Sequence, residues 1–510
     1  MCSRPEELMT LDTHVGVATQ AQLPICGRCK VRPVQFRVQE SFCAECFIFQ
    51  VCLKFRVAIG SSRPFEGGTR GGRLPPRTAA PAHLRLPSLR RFAVAYSGGF
   101  GSTVLLDMLL DQSLVALRRR PTDSTGALAT VSPDDCPIGL LGGDGGNDPR
   151  RAVRPPTRCL VLHIDEHASY LGTPAAAYGP FAVGLAEHVA RFQSHAVFVC
   201  APLELVLDRE LPCEADLVAF SQAATLQQWY ATSEDGAIPT HPASSRRSHQ
   251  PRMSVRALEA LAPALDGPRT GDGPSAVDAS PGPLGRLGSL RAQLREAFAA
   301  CGSVSARDDL REQLRWLLLR RLSRAFGCNL LFSGDTKTTL ASKTLSLCAL
   351  GRGFMLPVEA GADDWRETDF LVTRPLRDVS TKEACIYSQL RGIPSLPASL
   401  PLGMCPAPYI PGQGNSSLIG LSNAFIARLQ QEFPSTVSTV TATALKVTTD
   451  AEHFDPAAGP MKPCLLCLAP VPEADIQPTV GTRSPIGALA EIATTERLCY
   501  GCRTLISECD

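Results

Sequence analysis

The sequence predicts an α/β fold built on a parallel sheet, and three stretches carry that expectation. Phe92-Ala93-Val94-Ala95-Tyr96 alternates large and small apolar residues, ends in Ser97-Gly98-Gly99 and runs on into the apolar residues 104–110. That is the order of a strand, a tight glycine turn and a helix. Residues 158–165, Arg-Cys-Leu-Val-Leu-His-Ile-Asp, form an apolar run closing on a carboxylate, as a buried parallel strand does. Residues 329–332 lead into Ser333-Gly334-Asp335-Thr336-Lys337, a second strand-to-helix turn dense in hydroxyls.

Composition bounds the rest. The chain has 510 residues, 44% hydrophobic and 20% charged, with 42 prolines and 41 glycines. That is room for a large core, more than one domain and some linker. A net charge of +2 gives no argument for nucleic acid from overall balance. Residues 1–24 read as a flexible leader without a signal pattern, and no apolar run approaches the roughly 18 residues of a membrane span. A soluble intracellular protein is expected, so its 20 cysteines are read as reduced thiols and their pairs as metal ligands.

In chain order, Cys26-Gly27-Arg28-Cys29 and Cys43-Ala44-Glu45-Cys46 come first, 13 residues apart. Two such knuckles suit a four-thiolate zinc site better than a redox pair, with Val34, Phe36 and Val38 alternating between them as a hairpin strand. Residues 25–60 are therefore read as an N-terminal zinc ribbon and 61–90, rich in Gly, Arg and Pro, as a linker. An α/β domain follows over 91–445, with disordered low-complexity insertions at about 119–157 and 232–290. Cys464-Leu465-Leu466-Cys467 and Cys499-Tyr500-Gly501-Cys502, 31 residues apart, are read as a second zinc site in a C-terminal segment, 446–510.

Within the α/β domain the glycine turn suits a phosphate, since glycines admit close approach and the next helix offers free N–H groups, but a plain βα turn fits equally. Asp165 either binds a ligand group at the carboxyl end of its strand or caps the next helix. Helices are expected over 178–192, 307–326 and 421–433, and strands over 196–200 and 370–376. On the 307–326 helix, Arg311, Arg315, Arg320, Arg321 and Arg324 lie largely off the leucine face; a solvated face and an RNA-facing stripe both fit. The hydroxyls of residues 333–344 with Lys337 and Lys343 suit phosphate or nucleotide contact, while N-capping by Asp335 or Thr336 fits part of the same pattern, and Ser380-Thr381-Lys382-Glu383 has the capping-box pattern. Lysines are scarce, seven among 51 basic residues, so two in one phosphate-sized turn are noted.

Taken in order, several motifs resemble the PP-loop ATP-pyrophosphatase superfamily (adenine nucleotide alpha hydrolase-like) and, within it, the tRNA thiolation branch. They are the N-terminal knuckles with Lys54-Phe55-Arg56, Ser97-Gly98-Gly99, Gly334-Asp335, Leu350-Gly351-Arg352-Gly353 and Arg374-Pro375-Leu376-Arg377-Asp378. Phe433-Pro434-Ser435-Thr436-Val437 and Leu498-Cys499-Tyr500-Gly501-Cys502-Arg503 complete the set. The resemblance implies ATP-dependent adenylation of a tRNA wobble uridine, with sulfur from a thiocarboxylated ubiquitin-related modifier, in the cytoplasm. It implies nucleotide contact at Ser97, Gly98, Gly99, Ser102, Asp165, Gly334, Asp335 and Lys337. Active members carry Ser-Gly-Gly-x-Asp-Ser, however, and Gly101 stands here in place of the Asp. They also carry a Cys-x-x-Cys in the α/β core, whereas Cys52, Cys136, Cys159, Cys200, Cys213, Cys301, Cys328, Cys348, Cys385 and Cys405 are scattered singly. The expectation is a non-catalytic or degenerate subunit, with no catalytic residue assigned, pairing as a heterodimer with a catalytic thiolation subunit and helping to bind tRNA. An independent ATP-dependent adenylating enzyme and a zinc-ribbon nucleic-acid adaptor are the rival readings.

Overall fold

The computed structural model describes residues 24–38, 40–60, 91–110, 159–171, 175–192, 196–208, 210–232, 287–364, 366–367, 370–393, 417–444, 446, 461–472 and 498–507. The leader, the linker, the 119–157 insertion, most of the 232–290 insertion, Cys136 and Cys405 lie outside them. The chain opens with a hairpin, β1 (Phe36–Arg37) and β2 (Ser41–Phe42), and a long helix α1 (Ala44–Gly60). Next come β3 (Phe92–Ala95), α2 (Phe100–Leu110), β4 (Cys159–Asp165), α3 (Ala175–Ala190) and β5 (Ala196–Pro202). Helices α4 (Glu214–Phe220), α5 (Ala223–Thr232), α6 (Leu287–Ala300) and α7 (Val304–Ala325) precede β6 (Leu330–Ser333) and α8 (Lys337–Ala349). Strands β7 (Asp363–Asp364) and β8 (Leu371–Thr373) and helices α9 (Thr381–Leu390), α10 (Leu418–Glu432) and α11 (Pro434–Ala444) follow. The described chain ends with β9 (Met461–Pro463), β10 (Pro470–Pro472) and α12 (Tyr500–Ser507).

One six-stranded sheet, ordered β5-β4-β3-β6-β8-β7, organises the molecule. Its first five strands are parallel and β7 alone pairs antiparallel, at the edge. Strands β3, β4, β5, β6 and β8 are short, largely apolar runs because both faces are covered, whereas the edge strand β7 is Asp363-Asp364. Register sets which side chain goes where: Phe92, Val94, Val161 and Phe332 enter one core, Ala93, Leu160, Leu162, Leu331 and Val372 the other. The first core is closed by α1, α2, α3, α5 and α9, the second by α6, α7 and the C-terminal cysteine segment. This is the α/β class expected, with a four-cysteine group at each end. Helix α2 is buried from Ser102 through Leu110, as a helix apolar all round must be.

Local signals hold where chemistry is local. Ser380 and Glu383 form the full capping box of α9, and Thr336, rather than Asp335, caps α8. The 421–433 helix starts earlier, and Pro434 opens another directly after it, as proline at a first helical position does. Helix α6 already begins at Leu287, inside the segment expected to be an insertion.

The arginines of α7 require a correction: they form neither a solvated face nor a stripe open to RNA. Arg311 and Arg320 are buried, Arg311 and Arg315 face Glu166, and Arg320 pairs with Asp364 and Glu367. Arg321 donates to the carbonyls of Val206 at 2.7 Å and Asp208 at 2.6 Å, and Arg324 pairs with Glu367. The cause is tertiary. Helix α7 lies against the sheet and is also packed by α10, α12 and the 203–207 turn, so most of its polar side is interior and Arg311, Arg315, Arg320 and Arg321 meet anions and carbonyls there, while Arg324 stays exposed near the helix end.

Candidate functional site

Two kinds of site emerge: a rim at the carboxyl ends of the central strands, and the four-cysteine groups. Because β4, β3 and β6 are adjacent and parallel, Asp165, Ser97 and Gly334 share that rim, where open α/β sheets bind ligands. Gly98 sits at φ 76°, a conformation that suits glycine.

The glycine turn is closed on itself. The Ser97 amide and hydroxyl meet Ser102 Oγ at 3.3 and 3.2 Å, and Ser102 Oγ donates to the Gly99 carbonyl at 3.1 Å. The turns after β3 and β6 also touch backbone to backbone. A Cβ on Gly101 would lie 2.2 Å from the Gly334 carbonyl oxygen, and one on Gly334 would lie 2.5 Å from the Ser102 nitrogen. Neither position accommodates a side chain, so the space in which a carboxylate at position 101 would stand is filled by main chain.

The remaining rim residues are engaged within the chain. Asp165 is buried; it accepts from the His167 amide at 2.9 Å and Tyr230 hydroxyl at 2.6 Å and pairs with His167 Nδ1 at 2.7 Å. Burial works to raise its carboxyl, but His167 and Tyr230 outweigh that and hold it below the ordinary value. Asp335 accepts from Ser333 at 2.8 Å and faces Arg374 at 3.4 Å. Lys337 is half-buried at the start of α8, whereas Lys343 turns inward to Glu359 at 3.5 Å and the Trp316 ring. The geometry thus gathers the expected nucleotide residues but leaves most of their polar groups satisfied.

At each end, four cysteines converge: Cys26, Cys29, Cys43 and Cys46, and Cys464, Cys467, Cys499 and Cys502, with the sulfurs of each set within 4.8 Å of one another. Cys29 and Cys43 sulfurs are 3.9 Å apart, and Cys467 and Cys499 sulfurs 3.5 Å. Sulfurs at tetrahedral corners around zinc stand about 3.8 Å apart, given Zn–S bonds of about 2.3 Å. The donor set, all thiol, fits such an ion in both places. Among the described residues no other cysteine joins a ligand group, Cys52, Cys159, Cys200, Cys213, Cys301, Cys328, Cys348 and Cys385 included.

Both clusters are built the same way. The first knuckle is a tight turn whose exit residue is left-handed, Lys30 at φ 55° and Leu468 at φ 60°. In each, that residue's amide closes on the first cysteine's carbonyl, Lys30 to Cys26 at 2.9 Å and Leu468 to Cys464 at 3.0 Å. The second knuckle starts a helix, α1 after Cys43 and α12 after Cys499. Free amides at a helix start favour thiolates there. The amide of Cys29, foremost, holds the Cys26 thiol down at about 6. Neither left-handed residue is a glycine, so no sequence signal marked either turn. Arg352, singled out in sequence only within Leu350-Gly351-Arg352-Gly353, is fully buried against the C-terminal cluster with Asp309 as its partner, a contact no local pattern signals.

Comparison with known proteins shows what the chain is similar to. The family model described as cytoplasmic tRNA 2-thiolation protein 2 matches residues 417–485. The human protein of that name is 38% identical over 176 residues, 34% of this chain and 33% of its own length. The bovine one is 28% identical over 446 residues, 87% of this chain and 71% of its length. The rat one is 33% identical over 245 residues, 46% of this chain and 45% of its length. The chain therefore spans about a third of the human relative and under half of the rat one in these matches. Among solved structures, the U34-tRNA thiolase NcsA from Methanococcus maripaludis with its [4Fe-4S] cluster aligns over 87% of this chain and 95% of its own. It does so at 10% identity and TM-score 0.40, too loose for residue correspondence. On the sequence matches, the chain is similar to the proteins named cytoplasmic tRNA 2-thiolation protein 2, most firmly over residues 417–485, where the model of that family matches.

Proposed function

We propose that this chain is a non-catalytic subunit of the cytoplasmic complex that 2-thiolates tRNA wobble uridine at position 34. In this reading it supports a catalytic PP-loop partner in a heterodimer and helps to hold tRNA on the way to 5-methoxycarbonylmethyl-2-thiouridine. The partner binds ATP, and sulfur comes from a thiocarboxylated ubiquitin-related modifier. The chain is organised as a zinc ribbon over 25–60, a PP-loop-like domain over 91–445 and a zinc segment over 446–510, with structural zinc at both four-cysteine clusters. The similarity to cytoplasmic tRNA 2-thiolation protein 2 from several vertebrates supports the thiolation role. No helix among the described residues is long and apolar enough to cross a membrane.

One observation carries the non-catalytic part: main chain of Gly334 occupies the space beside Gly101, while Ser97 and Ser102 bond each other across the turn. A pyrophosphate cradle needs its donors free and a charge nearby to organise it. Here the Ser97 and Ser102 hydroxyls and the Ser97 amide are already paired, and Asp165 is held by His167 and Tyr230. The shared rim of Ser97, Asp165, Gly334 and Lys337 is what favours the second reading, independent adenylation.

The two readings separate on purified protein. The chain alone, given tRNA, ATP and a sulfur donor, is expected to release no pyrophosphate above background, and the catalytic partner is expected to restore thiolation. Turnover by the chain alone, lost on Ser97→Ala, would establish the adenylating enzyme instead. Gly101→Asp does not serve as a gain-of-function test, because the new Cβ collides with the Gly334 carbonyl.

A further inference from the structure

The C-terminal cluster has a feature its N-terminal counterpart lacks. All four of its cysteines are buried, Cys464 and Cys502 completely. A divalent ion held by four thiolates leaves about two net negative charges. Burying such a site without compensation is costly, because the charge loses its water. At the N-terminal cluster Cys29 and Cys46 stay partly exposed and water supplies the solvation.

The compensation is visible. Arg352 has no exposed surface, and its Nη1 donates to Cys502 Sγ at 3.3 Å. Its Nε donates to Asp309 Oδ2 of α7 at 2.9 Å, and Nη2 stands 2.8 Å from the same oxygen as an ion pair. The guanidinium thus spans from the cluster to a helix of the central core. The knuckle is shaped to admit it: a Cβ on Gly501 would lie 2.7 Å from Arg352 Cγ. Gly351, at φ 69°, turns the chain so that Arg352 points inward, and stacks near the Tyr500 ring. Arg366 adds a second cation by donating to the Cys467 carbonyl.

The geometry assigns Arg352 as the positioning residue that balances the charge of the C-terminal four-cysteine site and ties it, through Asp309, to α7. Leu350-Gly351-Arg352-Gly353 and Cys499-Tyr500-Gly501-Cys502, 150 residues apart at Arg352 and Cys502, are two halves of one metal-supporting contact. The inference rests on the reading of Cys464, Cys467, Cys499 and Cys502 as a metal centre.

The test uses the full chain loaded with zinc, and reads zinc per chain by mass spectrometry and release to a chromogenic chelator. Wild type is expected to hold two zinc ions and release them in two phases, the faster one removed by Cys26→Ser. Arg352→Met is expected to speed the slow phase by about tenfold or more, the usual cost of removing a group that supports a ligand, and to leave the fast phase alone. Arg352→Lys, which keeps the charge, should stay close to wild type, and Asp309→Asn, which leaves the guanidinium to the sulfurs, should release no faster than wild type. A folded Arg352→Met with an unchanged slow phase overturns the assignment. So does equal acceleration by Arg352→Met and Asp309→Asn, which would make the pair mere packing. Should Arg352→Met be insoluble, Arg352→Lys and Asp309→Asn decide: acceleration by either overturns it. Wild type without zinc at the C-terminal cysteines defeats the metal reading itself, and a failed thiolation assay touches neither measurement.

Discussion

The two ends of the chain fold to one plan and are held in opposite ways. The N-terminal cluster stands at the head of α1, half open to solvent, and joins the core through that helix: Phe47, Val51 and Phe55 pack inward, and Lys54 pairs with Glu383 at 2.6 Å. The C-terminal cluster is buried throughout, all four cysteines belonging to the core on the other sheet face that also holds Leu310, Leu314, Leu318 and Phe370, whereas Cys29 and Cys46 lie at the margin of theirs. At the third place of the second knuckle the first cluster carries exposed Glu45, and the second carries buried Gly501 beneath Arg352. A ligand set that is peripheral in one case and central in the other should fail differently.

The largest difference is expected on losing a ligand. Cys464→Ser should cost the whole α/β domain several kcal/mol, on the order of what structural metals and buried groups contribute, and appear as a large fall in melting temperature or as insolubility. Cys26→Ser should loosen residues 24–60 first, seen as new proteolytic sites there, with a smaller change in the main transition. Equal losses from both would remove the distinction between a docked module and an integral one.

Knuckle geometry sharpens the contrast. Gly501→Ala forces Arg352 aside and should cost about 1–3 kcal/mol, the range for overpacking, measured by denaturant unfolding. Glu45→Ala, whose ion pair with Arg32 is exposed, should stay within about 0.5 kcal/mol. Lys54→Met removes the half-buried pair that docks α1 on α9 and should cost about 1–2 kcal/mol, with faster cleavage of the N-terminal module.

Acid should separate the two faces by a smaller amount. His188 packs on Tyr96 in the N-terminal face's core, and burial, with Arg191 nearby, pushes it down to about 4. The unfolded chain takes up that proton near pH 6.5, so the folded state binds fewer protons below it. Stability from this group is present above pH 6.5 and is lost as pH falls from there through 4. About 1–2 kcal/mol should disappear over that window and be spared in His188→Phe, read by denaturation at stepped pH. On the other face Asp364 is held far below the carboxylate range, with Arg320 and Arg366 overcoming its burial, so that contribution persists to lower pH.

Much of the fold was legible where one short stretch carries the whole signal. The βα turn at Ser97-Gly98-Gly99, the capping box at Ser380 and Glu383, and the paired knuckles each draw on residues a few positions apart. The arginines of α7 were misleading because helical periodicity reports which residues share a side, not what covers that side. Lys30 and Leu468 were silent because a left-handed turn imposed by closing around four sulfurs needs no glycine. The roles of Gly101 and Gly334 depend on a contact between turns more than 200 residues apart.

Read without coordinates, the chain determined its fold class, its eight paired cysteines and the absence of an acid at position 101, since these are matters of residue type and spacing. Tertiary structure alone decided that the two groups stand on opposite faces of one sheet, and that Arg352, held by Asp309, lies against the buried one. It also decided that main chain fills the place beside Gly101. The physical reason is burial: a charge or a bare backbone acquires its meaning from what excludes water around it, and that neighbour comes from distant parts of the chain.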